Sequence, residues 1–326
     1  MSLSPPVLLV THSGDHFTVE RVAEALARRG ARPLRLDTDL FPEEIRLSAT
    51  LAPEGAENLF VLGSDEVKLS EVRAVWARRM WPPRLSGNLD ERFRAACARE
   101  SAAALDAFFD GLGTARWVND PQRERAAENK LLQLRAARES GLDIPPTLLT
   151  NDAARARAFY EAEGGRVVAK LLRPLSTSMG DAPFFLYTSD VRAEDIEALD
   201  TLRHCPVVFQ RKIEKRRELR VAYVAGRTFT GALDASASAR GRTDWRLAEA
   251  DECSWSHAQL PPQLAAQLKS LMRRLGLVYG AIDLIETPDG RHVFLEVNPG
   301  GEWGMLEHDL DLPISGAIAD ALLSDE

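Results

Sequence analysis

Two apolar stretches near the C-terminus constrain the fold more than any other feature of the 326-residue chain. Residues 279–286 and 292–298 have the length and composition of strands, and the turn sequence Pro288-Asp289-Gly290 joins them. They predict an antiparallel hairpin. The C-terminal part of the chain is therefore expected to build antiparallel β-structure.

Polar side chains on this hairpin suggest a metal site. Strand alternation predicts one face with Phe294, Glu296 and Asn298 and a core face with Val293, Leu295 and Val297. Asp283 can reach the polar face from the paired strand. Oxygen ligands of this kind suit Mg²⁺, and Glu296 can bridge two ions. The alternative is a surface hairpin with solvated acids, but the sharp turn Pro299-Gly300-Gly301 directly after Asn298 favours a shaped site.

The start of the chain has the pattern of a parallel sheet. A short strand at 7–10, a helix at 18–29 that ends at Gly30 and a strand at 33–37 form a βαβ unit. A strand at 72–76 and an Ala-rich helix at 90–111 follow. Residues 1–119 are therefore predicted to form one α/β domain.

The remaining pattern alternates helices with short strands. Asp120 and Pro121 begin a helix that is predicted to run unbroken to Ser140. The further predicted elements are strands after Pro146 and at 167–172, 205–210, 219–225 and 227–232, a helix at 262–275 and a terminal helix.

Composition excludes several classes of protein. The net charge of −8 argues against a general nucleic-acid-binding protein, which is usually basic. Cys97, Cys205 and Cys253 lie far apart without metal-ligand spacing, as expected for reduced thiols. The sequence has neither a signal-peptide pattern nor an apolar run near the ~20 residues that span a bilayer. We therefore expect a cytoplasmic protein that does not bind membranes.

Two lysines interrupt apolar stretches. Lys170 lies within residues 167–172, and Lys130 precedes two leucines on a helix. A lone lysine of this kind usually extends to water, since burying its charge is costly unless an anion meets it. The loop at 173–183 follows Lys170, and Ser176 and its small neighbours can offer hydroxyl and N–H groups to phosphates. Together these features favour phosphate binding.

Residues 211–220 hold six basic side chains in ten positions. Such a run is usually a solvated face, and nucleic acid is another possible partner, but the run lacks the aromatic residues that stack bases. The apolar strand before it leads directly into the basic side chains. Gln210, Lys212 and Ile213 are therefore expected to hold an adenine through backbone groups.

Arg220 alternates with the apolar Leu219 and Val221, so its side chain is expected to point away from the core. This position suits a cation that stabilises charge on a transferring phosphoryl group. Glu218 shares its face and is expected to hold ribose hydroxyls, a role that Glu214 fits equally well.

The order of these residues resembles that of the ATP-grasp superfamily over roughly residues 119–310. Across the whole chain, the sequence resembles the graspetide synthetases, the microviridin- and plesiocin-type peptide macrocyclases. Ala77 departs from the family pattern, where an aromatic is expected, and Glu302 stands where Gln is more usual. The stretches that carry the closer resemblance are residues 7–13, 35–42, 75–79 and 296–303.

The resemblance implies a mixed α/β (α+β) fold and an ATP-dependent ligase. It implies an N-terminal pre-ATP-grasp domain at 1–119, a central subdomain at 120–209 and a C-terminal subdomain at 210–326 with the metal site. It also implies ATP and Mg²⁺ as cofactors, with two ions, and a homodimer.

The implied substrate is a precursor peptide with a leader and an acidic, Thr-rich core. An Asp or Glu side chain is phosphorylated and then attacked by a Ser or Thr hydroxyl or a Lys amine, which gives an ω-ester or ω-amide ring. The basic residues expected to bind this peptide are Arg78, Arg79, Arg211, Arg216 and Arg217. Arg78 and Arg79 fit a solvated strand end equally well, and no general base stands out among the histidines.

Two other functions fit the same residues. One is an ATP-grasp carboxylate–amine ligase that adds amino acids to a protein, a peptide or a small molecule. The other is an ATP-binding module without turnover, against which the intact lysines and metal triad argue. Release of ADP on addition of acidic peptides would separate an enzyme from a binding module.

Overall fold

The computed structural model describes residues 4–172, 188–234 and 254–324. Its strands are β1 (Pro6–Thr11), β2 (Arg32–Asp37), β3 (Ile45–Ala52), β4 (Gly55–Leu62), β5 (Asp65–Lys68), β6 (Ala74–Ala77), β7 (Arg116–Val118), β8 (Thr147–Thr150), β9 (Val167–Lys170), β10 (Ser189–Asp190), β11 (Val207–Arg211), β12 (Arg217–Val224), β13 (Arg227–Leu233), β14 (Trp255–His257), β15 (Tyr279–Glu286) and β16 (His292–Asn298). Its helices are α1 (Phe17–Arg28), α2 (Glu91–Asp110), α3 (Pro121–Ala127), α4 (Lys130–Glu139), α5 (Ala153–Ala162), α6 (Ala193–Glu197), α7 (Pro262–Leu275), α8 (Gly304–Leu310) and α9 (Ile314–Leu323).

Four sheets organise these elements. The N-terminal parallel sheet has the order β2-β1-β6-β7, and a small antiparallel sheet, β3-β4-β5, follows β2 in the chain. A central antiparallel sheet has the order β10-β9-β11-β8. The largest sheet, β14-β13-β12-β15-β16, is antiparallel and contains the predicted hairpin with the predicted bounds. Within the described ranges, no helix is long and apolar enough to cross a membrane.

The helix predicted from Pro121 to Ser140 is wrong, because the structure has two helices there. The side chain of Asn129 accepts hydrogen bonds from the backbone N–H groups of Leu131 and Leu132, both at 3.1 Å. An Asn in this position caps a new helix and takes an extended backbone conformation itself. The cap therefore ends α3 and fixes Lys130 as the first residue of α4.

The sheet β3-β4-β5 was not predicted from the sequence. Its long strands are mostly exposed, and only Ile45, Phe60 and Val67 are buried in them. Strands with so few core positions give a weak alternation, so hydrophobic periodicity does not reveal them.

The largest hydrophobic cluster joins the two ends of the chain. Helix α9 packs on α1 and on β6 and β7 of the parallel sheet, and the fully buried Trp303 lies in the same cluster. Tyr279 of the large sheet belongs to it as well. The N-terminal sheet and the C-terminal hairpin are thus held by one shared core, which fixes their relative position.

Asn119 makes the polar connection between these two parts. Its buried side-chain amide donates to the carbonyl oxygens of Tyr279 (3.0 Å) and Pro299 (3.2 Å). Its side-chain oxygen accepts from the N–H groups of Val278 and Tyr279, both at 2.9 Å. One side chain therefore satisfies four backbone groups at the start and end of the hairpin.

We predict that Asn119→Ala lowers the free energy of unfolding by about 3 kcal/mol, because it leaves buried backbone groups without partners. Urea unfolding followed by tryptophan fluorescence measures this. The exposed Asn88→Ala serves as control and should change stability by less than about 0.5 kcal/mol. Equal stability of the two variants would show that Asn119 does not hold the hairpin.

Glu124 in α3 faces the turn that follows the hairpin. Its Oε1 lies 3.3 Å from the position that a Cβ on Gly300 would take, and its buried Oε2 has no hydrogen-bond partner in the described part of the chain. Burial, with a smaller effect of the Glu128 carboxylate, raises the pKa of Glu124 to about 8. The carboxyl group is therefore neutral in the folded protein at neutral pH.

This raised pKa predicts a pH-dependent stability. Between about pH 4.5 and 8 the unfolded chain ionises Glu124 while the folded chain keeps its proton, so stability falls as pH rises through this range. Glu124→Gln should remove this fall and stabilise the protein at pH 8 by about 2 kcal/mol. Urea midpoints at several pH values measure the effect, with the exposed Glu161→Gln as control. A parallel pH profile for wild type and Glu124→Gln would contradict the assignment.

Candidate active site

The polar residues of the large sheet form one row across three neighbouring strands. Arg220 of β12 is the register partner of Asp283 of β15, and Asp283 is the register partner of Glu296 of β16. Partners in a sheet point to the same face, so the three side chains lie side by side. Asn298 pairs with Ala281 and lies two residues along the same face.

A β-bulge corrects the predicted faces of β16. The register shifts between Asp283 and Leu284, so that Asp283 faces Glu296 while Leu284 faces Phe294, and Leu295 is the extra residue. Phe294 was expected beside Glu296, but it is fully buried in the core cluster together with Val297. The bulge thus lets Phe294 fill the core while Glu296 and Asn298 face the site.

The predicted metal ligands lie within contact distance of one another. The Asn298 amide lies 3.4 Å from Asp283 Oδ2 and 3.3 Å from Glu296 Oε1. Lys130, at the start of α4, places its Nζ 2.7 Å from Glu296 Oε2. The structure therefore brings together four residues that the sequence predicted for one site.

Arg220 is buried and held from two sides. Its Nη1 lies 2.7 Å from Asp283 Oδ1, while Nε (3.2 Å) and Nη2 (2.9 Å) donate to the backbone carbonyl of Glu302. Burial disfavours the charged form, but Asp283, with smaller effects of Tyr279 and Glu296, reverses this and raises the pKa of Arg220 above its ordinary value. The guanidinium is therefore a fixed cation at the end of the row.

Glu302 connects this row to the N-terminal sheet, and sequence reasoning missed this role. Its Oε2 lies 2.6 Å from Nη2 of the buried Arg78, whose Nε lies 2.7 Å from Asp15 Oδ2. Its Oε1 accepts from the N–H groups of Trp303 and Gly304. Burial opposes ionisation, yet Arg78 holds the pKa of Glu302 below its ordinary value. The position of Glu302 directly after Gly300-Gly301 was the available signal.

The predicted adenine and ribose residues lie on the central sheet, on the segment after it and at the start of β12 in the large sheet. Gln210 is buried in β11, where its side-chain amide donates to Thr147 Oγ1 at 3.0 Å. Lys212 pairs with Asp190 at 2.6 Å, Glu218 is bonded by Lys215, and Ile213 is half-buried. Lys170 ends β9 as the register partner of Val208. Ser176 lies outside the described residues.

The predicted peptide-binding arginines all contact carboxylates. Arg211 pairs with Glu163, and Arg216 (3.0 Å) and Arg217 (2.7 Å) share the buried carboxylate of Glu286. Arg78 is occupied by Asp15 and Glu302, whereas Arg79 keeps 44% of its side chain exposed and lies 3.5 Å from Glu302. Of this group, Arg79 combines substantial exposure with direct proximity to the site.

The donor set fits a hard cation that arrives with other oxygen ligands. In the ranges that the structure describes, no three His, Cys, Asp or Glu side chains come together to hold a metal unaided. Asp283 and Glu296 supply carboxylate oxygens and Asn298 an amide oxygen, the types that Mg²⁺ prefers while it keeps waters or phosphate oxygens. The site therefore suits an ion bound jointly with a phosphorylated ligand.

Comparison with known proteins supports the same interpretation. Residues 6–125 match the family model of the MvdD pre-ATP-grasp domain. No curated protein gave a significant sequence match.

Three solved structures share the fold over nearly the whole chain. The macrocyclase MdnB from Microcystis aeruginosa MRC is 48% identical, with 98% of this chain and 99% of MdnB covered and a TM-score of 0.83. MdnC from the same organism, bound with precursor peptide MdnA, is 33% identical, with 98% and 99% covered and a TM-score of 0.87. A RiPP-associated ATP-grasp ligase from Chryseobacterium gregarium, in complex with ADP and a leader and core peptide, is 29% identical, with 97% and 96% covered and a TM-score of 0.91.

These likenesses confirm the ATP-grasp fold and the family that the sequence predicted. The chain is an ATP-dependent ligase and belongs to the ATP-grasp macrocyclases of ribosomally made peptides, the graspetide synthetases.

Proposed function

We propose that the protein uses ATP and Mg²⁺ to close ω-ester or ω-amide rings in a precursor peptide with an acidic, Thr-rich core. The observation that carries this proposal is the row of Arg220, Asp283 and Glu296, with Lys130 and Asn298 at its end. Two neighbouring carboxylates with a cation on either side suit a nucleotide's phosphates and their metal ions. The two relatives solved with peptides support a peptide partner.

The proposed reaction has two steps. A carboxylate oxygen of a peptide Asp or Glu attacks the γ-phosphorus of ATP, and the bond to the bridging oxygen breaks to release ADP. A Ser or Thr hydroxyl, or a Lys amine, then attacks the acyl carbon, and phosphate leaves as the nucleophile loses its proton. Each ring therefore lowers the mass of the peptide by one water.

The roles of the protein side chains follow from their positions. Arg220 is fixed by Asp283 and the Glu302 carbonyl, so it needs little reorganisation to stabilise charge on the transferring phosphoryl group. Asp283, Glu296 and Asn298 would hold one or two Mg²⁺ ions. When bound, Mg²⁺ would neutralise negative charge on the phosphates. Lys130 holds Glu296 in place and offers a second cation to the phosphates.

The remaining predictions keep the status of proposals. We infer that Lys170, Ser176, Gln210, Lys212, Ile213 and Glu218 contribute to the nucleotide site, and that Arg78, Arg79, Arg211, Arg216 and Arg217 face the acidic peptide. We also infer a cytoplasmic homodimer and domain limits at 1–119, 120–209 and 210–326. The sheets support this division: two lie within 1–119, the central sheet lies within 120–209 except for the last two residues of β11, and the large sheet lies within 210–326.

We predict that Glu296→Gln abolishes ring formation while the protein remains folded, because the variant loses a charged metal ligand at a half-buried position that contributes little to the core. Mass spectrometry of the peptide after incubation with ATP and Mg²⁺ measures the loss of water. Asp289→Asn is a matched control, since Asp289 lies in the turn of the same hairpin and pairs with Arg291. Full activity of Glu296→Gln would falsify the metal assignment.

We predict that Arg220→Lys lowers kcat about 100-fold or more and changes the KM for ATP less than about threefold, since lysine cannot reproduce the three directed hydrogen bonds. A coupled assay of ADP release gives both constants. Arg227→Lys on the neighbouring strand is the control and should behave as wild type. A defect confined to the KM for ATP would mean that Arg220 acts in ground-state binding only.

A further inference from the structure

The order of strands in the N-terminal parallel sheet marks one place at the carboxyl ends of its strands. The chain runs from β1 to β2 on one side and then returns to β6 on the other side of β1. The order of strands therefore reverses between β1 and β6. In open parallel sheets, ligands bind at the carboxyl ends of the strands at such a point.

A rigid, exposed aromatic ring occupies this position. Trp81 follows β6 and stacks on His12, which follows β1, with ring centroids 3.8 Å apart and an interplanar angle of 1°. Thr38, beyond the end of β2, clamps the tryptophan backbone, since its hydroxyl accepts from Trp81 N–H and donates to Trp81 O. Despite these contacts, Trp81 remains 52% exposed to solvent. Immobilised aromatic surface that remains open to water is typical of the anchors in peptide recognition.

The stack itself carries no charge of its own. Burial lowers the pKa of His12, even though Asp15 and Asp39 oppose this effect, so the imidazole is neutral at neutral pH. One face of the indole therefore lies on the neutral His12 ring, and the other face is available to a ligand.

Two exposed arginines lie close to Trp81 in the sequence, one on each side. Arg79 is two residues before it, and Arg84, with 64% of its side chain exposed, is three residues after it. Arg84 rests on Asp39 (3.0 Å), whose carboxylate is fully buried and also accepts from the N–H and hydroxyl of Ser13. Both guanidinium groups are more exposed than the carboxylates that hold them, 44% against 36% for Arg79 and Glu302 and 64% against 1% for Arg84 and Asp39, so they present positive charge to the solvent.

This surface also leads to the catalytic row. Arg79 lies 3.5 Å from the carboxylate of Glu302, and the backbone carbonyl of Glu302 holds Arg220. A peptide bound to the indole and the two arginines would be separated from the phosphoryl-transfer site only by Glu302.

We propose that Trp81, Arg79 and Arg84 form a docking surface for the acidic core of the peptide. The occupant is identified by chemistry: carboxylate side chains for the two guanidinium groups, and an aliphatic or β-branched side chain for the indole face. One segment of the peptide core binds to this surface, and the neighbouring segment carries the carboxylate that is activated in the active site. This inference rests on the proposed function for the identity of the peptide.

Binding without ATP tests the surface separately from catalysis. The probes are a fluorescein-labelled decapeptide of alternating Thr and Glu and its counterpart of alternating Thr and Gln, titrated with the full-length enzyme by fluorescence anisotropy. The wild type should bind the Glu peptide at least tenfold more tightly than the Gln peptide, and added salt should reduce this difference. Trp81→Ala should weaken binding of the Glu peptide at least tenfold, and Arg84→Gln about threefold or more.

Two further variants make the outcome specific. Trp81→Phe keeps an aromatic ring on His12 and should retain affinity within about threefold of wild type, which excludes a general folding defect. Phe93→Ala removes an equally exposed aromatic (56% exposed) from α2 and should bind as wild type. The proposal is overturned if Trp81→Ala binds the Glu peptide as wild type does, if Phe93→Ala is equally impaired, or if the wild type does not distinguish the two peptides. Ring formation by an enzyme that fails these tests would leave the proposed function intact and reject this surface alone.

Discussion

The arrangement of the site depends on one buried cation, Arg78. A guanidinium with so little contact with water is stable only if carboxylates meet it, and removal of one partner from such a pair typically costs about 3–5 kcal/mol. Asp15 from the N-terminal part and Glu302 from the C-terminal part both meet it. The ion pairs therefore fix Glu302, and the backbone of Glu302 in turn fixes Arg220. The orientation of the proposed catalytic arginine is thus determined partly by the N-terminal sheet.

This dependence gives the N-terminal part a direct function in the site. Trp303 and α9 bury their apolar surface against α1 and the parallel sheet, and Asn119 satisfies the backbone at both ends of the hairpin. The shared apolar core supplies most of the attachment, since burial is worth roughly 25 cal/mol per Å² of apolar surface. The polar contacts add little net energy but determine the register of the two parts, because a shifted arrangement would leave buried donors unpaired.

Sequence reasoning predicted the hairpin and its polar row because both follow from local rules. Strand alternation and a Pro-Asp-Gly turn specify the hairpin, and they placed Asp283, Glu296 and Asn298 together. The bulge at Leu295 was not predictable in this way, since it depends on which side chain best fills the core below β16. The helix break at Asn129 was missed for a different reason: its capping residue lies within a pattern that otherwise continues as a helix.

The basic residues show where local reasoning reaches its limit. The run at 211–220 appears strongly positive in the sequence, yet the acids that pair with it come partly from distant segments, such as Glu163 and Glu286. Arg79 and Arg84 lie in a stretch, residues 72–89, that has four arginines and no acidic residue. Their partners, Glu302 and Asp39, come from other segments and leave the two guanidinium groups exposed. Whether a charge acts on a substrate depends on where its counter-ion lies, and that is a property of the folded arrangement. The sequence therefore overstates the free charge of the first group, and for the second it predicted a role for Arg79 but not the exposure of Arg84.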